Sequence, residues 1–197
     1  MKRFYKMDFT LAALSTDGIA AGVSGAAFAL TGSGAGDGCA HFVTVLNNTA
    51  TDHGAKTLVL TGYDANNAAI TETIAAPGTS ATVTSTKAFK TLTSVVPSAT
   101  IGADTFNIGW TAAAHTPFYR TGTFVFPMSV GAYVGGTINF TIQHTYDEIT
   151  EDAKVFSQTA LASKTANIDG TYTSPVNGVR ASINSHTSGT LSLFVMY

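Results

Sequence analysis

Five histidines, one cysteine and twelve carboxylates are the side chains of this 197-residue chain best suited to chemistry. His41, His53, His115, His144 and His186 include no pair spaced i,i+2 or i,i+4, and neither Cys-x-x-Cys nor His-Glu-x-x-His occurs. Spacing therefore gives no support to a transition-metal site. No Gly-x-Ser-x-Gly elbow is present to expose a serine nucleophile. Gly32-Ser33-Gly34-Ala35-Gly36 superficially resembles a dinucleotide loop, but no helix pattern follows it. Cys39 has His41 two residues on, which in a strand shares its face. A thiol nucleophile also needs a third group to orient the base, and none is placed, so Cys39 reads as a buried thiol. Being single, it forms no disulfide within the chain.

The acids divide into three settings. Asp64, Asn66 and Asn67 look like part of a calcium loop, but the spaced acidic ligands and the bidentate glutamate are missing, so they read as a turn. Glu72 has the parity of Ile70 and Ile74 and so shares their face. A carboxylate there needs a partner, a bulge or a rim position, and Lys87 and Lys90 in the next strand are candidate partners. Asp147, Glu148, Glu151 and Asp152 put four carboxylates into six residues. They read as an exposed loop or the first turn of a short helix capped by Thr150. Segment 147–152 is also the one place to look for weakly held Ca²⁺ or Mg²⁺, because its oxygens are hard ligands. Paired acids across a cleft, which a glycan hydrolase needs, are not indicated. We expect no catalytic residue, no cofactor, no resident metal and no enzymatic activity.

The elements that carry these residues are strands. Charged residues are 11 % of the chain, against roughly 25 % in ordinary soluble domains. Threonine is the commonest residue, and Val, Ile, Phe and Tyr are abundant, which suits sheets with hydroxyl-covered faces. Apolar residues at 45 % can fill a core. Ten scattered Lys and Arg and a net charge of −2 leave no basic stripe for nucleic acid. So little net charge gives little self-repulsion, which favours association. Met1-Lys2-Arg3 opens like a secretory signal, but the apolar piece after it is short and bracketed by Asp8 and Asp17. The apolar stretch from Ile19 to Leu30 falls well below the ~20 residues a membrane helix needs. We expect no secretory signal and no membrane partner.

Along the chain, residues 1–37 suggest two short strands and loops, placed to reach across to a neighbour. His41 to Leu46 is a strand. Lys56–Thr61 and Ile70–Ile74 form a hairpin around Gly62–Ala68. Strands follow at 81–84 and 87–96, and Pro97 stops the second. Phe106, Ile108 and Trp110 alternate inward. Small residues and Pro117 then break the pattern, which places a connector at 113–119 between a β unit at 1–112 and another at 120–197. In the second unit Phe124 and Phe126 alternate. Strand 129–134 ends at Gly135-Gly136, and strand 137–144 points Ile138, Phe140, Ile142 and His144 inward, with Tyr146 continuing that set. Asn167–Gly170 reads as a turn. Strand 178–184 precedes a turn at Ser188-Gly189, and 190–197 closes the chain. The expectation is an all-β fold of two β-sandwich-like units with antiparallel strands and very little helix, any helix lying near 150–160.

The last strand is apolar on both faces. Leu191, Leu193 and Val195 lie on one side, Phe194 and Met196 on the other, and Tyr197 ends it. Such a strand is covered by a second layer or buried in an interface. Leu191, Leu193, Phe194, Val195, Met196 and Tyr197 are the candidate interface residues.

Two blocks carry a resemblance. One is Leu58-Val59-Leu60-Thr61-Gly62-Tyr63-Asp64-Ala65-Asn66-Asn67-Ala68-Ala69-Ile70-Thr71-Glu72-Thr73-Ile74, followed by Thr86-Lys87-Ala88-Phe89-Lys90-Thr91-Leu92-Thr93-Ser94-Val95 and Ile108-Gly109-Trp110. The other is Gly136-Thr137-Ile138-Asn139-Phe140-Thr141-Ile142-Gln143-His144-Thr145-Tyr146-Asp147, with Pro175-Val176-Asn177-Gly178-Val179-Arg180 and Ser188-Gly189-Thr190-Leu191-Ser192-Leu193. Together they resemble phrases recurrent in structural proteins of tailed-bacteriophage virions. Asn67 stands where that pattern has glycine, and asparagine also tolerates a left-handed turn. The resemblance implies a non-enzymatic virion protein docking in multiple symmetric copies on the capsid or at the neck or tail. Its partners would be other copies of itself and other virion proteins (capsid, portal or tail). It carries over no catalytic or ligand residue. The alternative is a receptor- or glycan-binding module of a virion tail, for which an exposed aromatic cluster beside a carboxylate and an amide is the feature to find.

Overall fold

The computed structural model describes residues 4–122, 127–150 and 153–197. The strand expected around Phe124 and Phe126, the first three residues, and Glu151 and Asp152 lie outside the described residues. The fold is all-β; the described residues form two hydrogen-bonded sheets of ten and three strands and one single-turn 3₁₀ segment at Thr159–Leu161. The chain divides into two compact units. The first holds Leu14–Gly36 and Ala40–Thr111; the second holds Met1–Ala13, Asp37–Cys39 and Ala112–Tyr197.

The strands in chain order are β1 (Phe4–Thr10), β2 (Ser15–Val23), β3 (Ala40–Asn47), β4 (Thr57–Tyr63), β5 (Ala69–Ala75), β6 (Thr82–Phe89) and β7 (Thr91–Pro97). They continue with β8 (Phe106–His115), β9 (Tyr119–Arg120), β10 (Met128–Thr145), β11 (Val155–Ser157), β12 (Ile168–Tyr172) and β13 (Gly178–Met196). Two differences from the sequence reading concern the units. β1 pairs along its whole length with β13, so the first residues belong with the C-terminal half. The segment 113–119 is partly strand: β8 runs on to His115, and β9 begins at Tyr119.

In the first unit, β4 and β5 form the expected hairpin, with Asn67 at φ 65° in its turn. Asp64 Oδ1 accepts the backbone N–H of Asn66 and of Ala68, both at 2.8 Å, so the supposed calcium oxygen is occupied by turn amides. β7 pairs with the other edge of β4. Leu58, Leu60, Ile70, Ile74, Leu92 and Val95 from these strands share a core with Val43, Val45, Phe106 and Ile108. Trp110 is only half-buried at its margin.

Glu72 is buried, and its partners are not ammonium groups. Oε1 accepts the Thr86 N–H at 2.8 Å and the Thr86 hydroxyl at 2.7 Å, and Oε2 accepts the Lys87 N–H at 2.9 Å. The reason lies in β6. Phe42 pairs with Ala88 and Thr44 with Thr84, so Val43 of β3 faces three residues of β6 across a bulge. The bulge releases the amides that Glu72 collects, while Ser85 Oγ accepts the Val43 N–H at 2.8 Å. The Lys87 ammonium donates to the Thr71 carbonyl, and that of Lys90 to Asn67 Oδ1.

The second unit is built on β10 and β13, of 18 and 19 residues, paired antiparallel from Ser129↔Met196 to Thr145↔Gly178. The glycines expected to end strands sit inside them, because each strand supplies the other's hydrogen bonds through that point. Gly136 pairs with Gly189, and register shifts follow at Thr137/Ile138 and Asn139/Phe140. β1 and β12 flank the half of the pair that carries Met128 and Val195. β8, β9 and β11 flank the other half. Met128, Val130, Leu191, Leu193 and Val195 from one half meet Ile138, Phe140, Ile142, Val179 and Ile183 from the other in one core. Residues 168–170, expected as a turn, belong to β12, held by register with Val130, Gly131 and Ala132.

Candidate interaction face

Residues of the final strand divide between two faces by alternation. Leu191, Leu193 and Val195 are fully buried in the chain's own core. Ser192, Phe194 and Met196 point to the other side of the four strands β1, β13, β10 and β12. Phe194 is half-buried, and Met196 is exposed. What remains of the candidate interface for a partner is therefore Phe194, Met196 and Tyr197.

Cross-strand register shows what surrounds Phe194. Its neighbours are Lys6 on β1 and Gly131 on β10. Gly131 offers no side chain, and the next residue across on that flank is the exposed Asp169 of β12. Phe4, 62 % exposed, lies one step along β1 opposite Met196, and its ring centroid is 5.9 Å from that of Phe194. Tyr133, 55 % exposed, follows on β10 opposite Ser192. Four large apolar side chains thus lie on one side of one sheet. Single exposed hydrophobics are ordinary, and a group sharing a sheet face is the informative case.

Charge on this face comes from Lys6, Asp8 and the exposed Asp169 of β12, which lies across Gly131 from Phe194. The Lys6 ammonium is 2.9 Å from Asp8 and 5.7 Å from the centre of the Phe194 ring. Asp8 also accepts the Ser192 hydroxyl at 2.5 Å. That hydrogen bond, then Lys6, holds the Asp8 carboxyl below the usual carboxylate range. Tyr197 lies apart from this patch: its hydroxyl is 3.1 Å from that of Tyr119, and Tyr5 stacks on the Tyr197 ring and meets the Tyr119 ring at a tilt. Desolvation first, then Tyr197, pushes the Tyr119 phenol upward.

The groups that could do chemistry are dispersed. His41 Nδ1 lies 2.8 Å from the Thr111 carbonyl. His53 Nε2 is 3.0 Å from Asp104, and its Nδ1 is 3.2 Å from the Lys56 ammonium. His115 is on β8, and His186 lies on β13, buried beside the bulge. His144 sits among aromatic rings. Cys39 is buried with Phe9 and Leu11. Asp147 Oδ2 accepts the Lys154 N–H at 2.8 Å. Among the described residues no three His, Cys, Asp or Glu side chains gather as a metal site. Tyr146, expected inward, is 53 % exposed because it lies beyond the end of β10.

No protein-family model, curated protein or solved structure matches the chain.

Proposed function

We propose that the chain is a non-enzymatic structural protein of a tailed-bacteriophage virion. It folds as two β-sandwich-like units and docks in multiple symmetric copies on the capsid or at the neck or tail, as a cement, decoration or adaptor. The observation that carries this reading is the apolar face of Phe4, Tyr133, Phe194 and Met196, on which Lys6 pairs with Asp8. Repetition by symmetry multiplies a modest contact of this kind into a stable shell or ring. The low charge of the chain and its virion-like sequence phrases support the same reading.

The test is cryo-EM of particles assembled with the wild-type chain or with Phe194→Asp. In wild-type particles Phe194 should be covered by a neighbouring subunit, and the mutant chain should be missing from the particle while remaining folded alone. Normal occupancy of the mutant, or a solvent-exposed Phe194 in the particle, would overturn the docking reading.

A further inference from the structure

A second exposed aromatic group lies on the other flank of the second unit, and its make-up differs from that of the docking face. His144 on β10 and Phe156 on β11 are direct cross-strand partners. Tyr146 follows two residues beyond His144, and Tyr172 ends β12. The four rings converge. His144 lies 5.8 Å from Phe156 in a stacked arrangement and 5.2 Å from both Tyr146 and Tyr172, edge to face. Tyr146 and Phe156 are 5.6 Å apart with their planes at 59°. Burial separates them into two levels: His144 and Tyr172 are 9 % and 5 % exposed, whereas Tyr146 and Phe156 are 53 % and 49 % exposed.

The lower level holds an unused polar atom. The Tyr172 hydroxyl lies 3.4 Å from His144 Nδ1. Desolvation raises the Tyr172 phenol and lowers the His144 imidazole, so both are neutral at pH 7. That hydrogen bond occupies Nδ1 and leaves Nε2 as the remaining ring nitrogen, an acceptor or a donor according to the tautomer. Nε2 has no hydrogen-bond partner among the described residues, yet it is not sealed from solvent. A buried imidazole with an unused ring nitrogen beneath two half-exposed rings is an arrangement that core packing alone does not call for.

We propose that Tyr146, Phe156 and His144 form a carbohydrate-binding site that takes one pyranose ring. A pyranose has an apolar C–H face and a rim of hydroxyls. The exposed rings offer flat apolar area at low entropic cost, and Nε2 offers a hydrogen-bonding atom to a hydroxyl, which can donate or accept. Asp147 follows Tyr146, and its carboxylate, already holding the Lys154 N–H, has lone pairs left for hydroxyl donors. The Asn177 amide braces this corner by donating to the Tyr146 carbonyl at 2.6 Å and the Asp147 carbonyl at 3.2 Å. A cationic ligand would also suit two rings beside acidic residues. A sugar hydroxyl, which both donates and accepts, meets Nε2 in either tautomer, whereas a quaternary ammonium makes no hydrogen bond with it, which favours the neutral sugar. This site goes beyond the docking reading and does not depend on it.

Saturation-transfer NMR on the full chain tests the site, using glucose, galactose, N-acetylglucosamine and rhamnose singly at millimolar concentration, with tetramethylammonium as a further arm. At least one sugar should receive saturation and shift the His144 ring resonances. Tyr146→Ala and Phe156→Ala should abolish the transfer while the amide spectrum stays native, and Tyr133→Ala should leave it unchanged. If either alanine variant loses its native spectrum, Tyr146→Leu and Phe156→Leu, which keep apolar bulk and remove the ring, replace it. Transfer to none of the four sugars, transfer that survives both ring removals, or a ring-dependent signal from tetramethylammonium alone would overturn the proposal.

Discussion

Gly136 on β10 and Gly189 on β13 pair across the two longest strands of the chain, at φ +124° and +135°. A Cβ on Gly136 would lie 2.6 Å from the Ser188 carbonyl oxygen, and one on Gly189 would collide with the Gly135 carbonyl. Two strands can pass so closely and in so unusual a conformation only where both lack side chains. The bulges just beyond add local twist, and both halves of β10 and β13 contribute to one core.

Replacing either glycine by alanine should therefore destabilise the second unit by about 1–3 kcal/mol, the scale of a residue held in a disfavoured backbone region. Because the two sites touch, the double variant should not be the sum of the singles. Thermal denaturation of the three variants gives the values. Unchanged midpoints would mean that the close pairing of these glycines does not hold the strands.

Glu72 should be sensitive to a change that keeps its shape. Glu72→Gln replaces one acceptor oxygen by an NH₂ that must face a backbone N–H of Thr86 or Lys87. Loss of charge-assisted bonds and one donor-donor contact should cost about 2 kcal/mol. Urea unfolding checks this. A loss well below 1 kcal/mol would show that water replaces the carboxylate at the bulge.

Leu193 and Phe194 are neighbours with opposite fates. Leu193 is fully buried, so Leu193→Asp places a charge in the core, costs several kcal/mol and should prevent folding of the second unit. Phe194 lies on the outer face, and Phe194→Asp should leave the isolated chain folded, with a stability change of about 1 kcal/mol or less. Circular dichroism of both variants at equal concentration separates the two outcomes.

The His144 imidazole gives a pH dependence of known sign. Desolvation lowers its folded pKa below the ordinary value, near 6.5. As pH falls, the unfolded chain takes up the proton first, so stability falls from about pH 6.5 down through the folded pKa. His144→Phe should remove this contribution and flatten the stability profile in that window. The His144 Cε1–H resonance should titrate below pH 6.5, and a midpoint at or above that value would contradict the burial argument.

Alternation of apolar and polar residues determined most of the strands, the inward set Ile138, Phe140 and Ile142, and the β4–β5 hairpin. These are properties of a few consecutive residues, and period two reads them directly. It also determined that Leu193 and Phe194 face opposite ways. The tertiary structure decided what depends on partners distant in sequence. Gly135-Gly136 and Ser188-Gly189 look like turns taken alone, and they become mid-strand only because β10 and β13 pair with each other there. β1 lies with the C-terminal half because β13 supplies its hydrogen bonds. Glu72 found bulge amides instead of a lysine, since a bulge arises from the register of two strands and leaves no mark in either sequence. The ring cluster around His144 needed β10, β11 and β12 to converge, and no local period encodes that meeting.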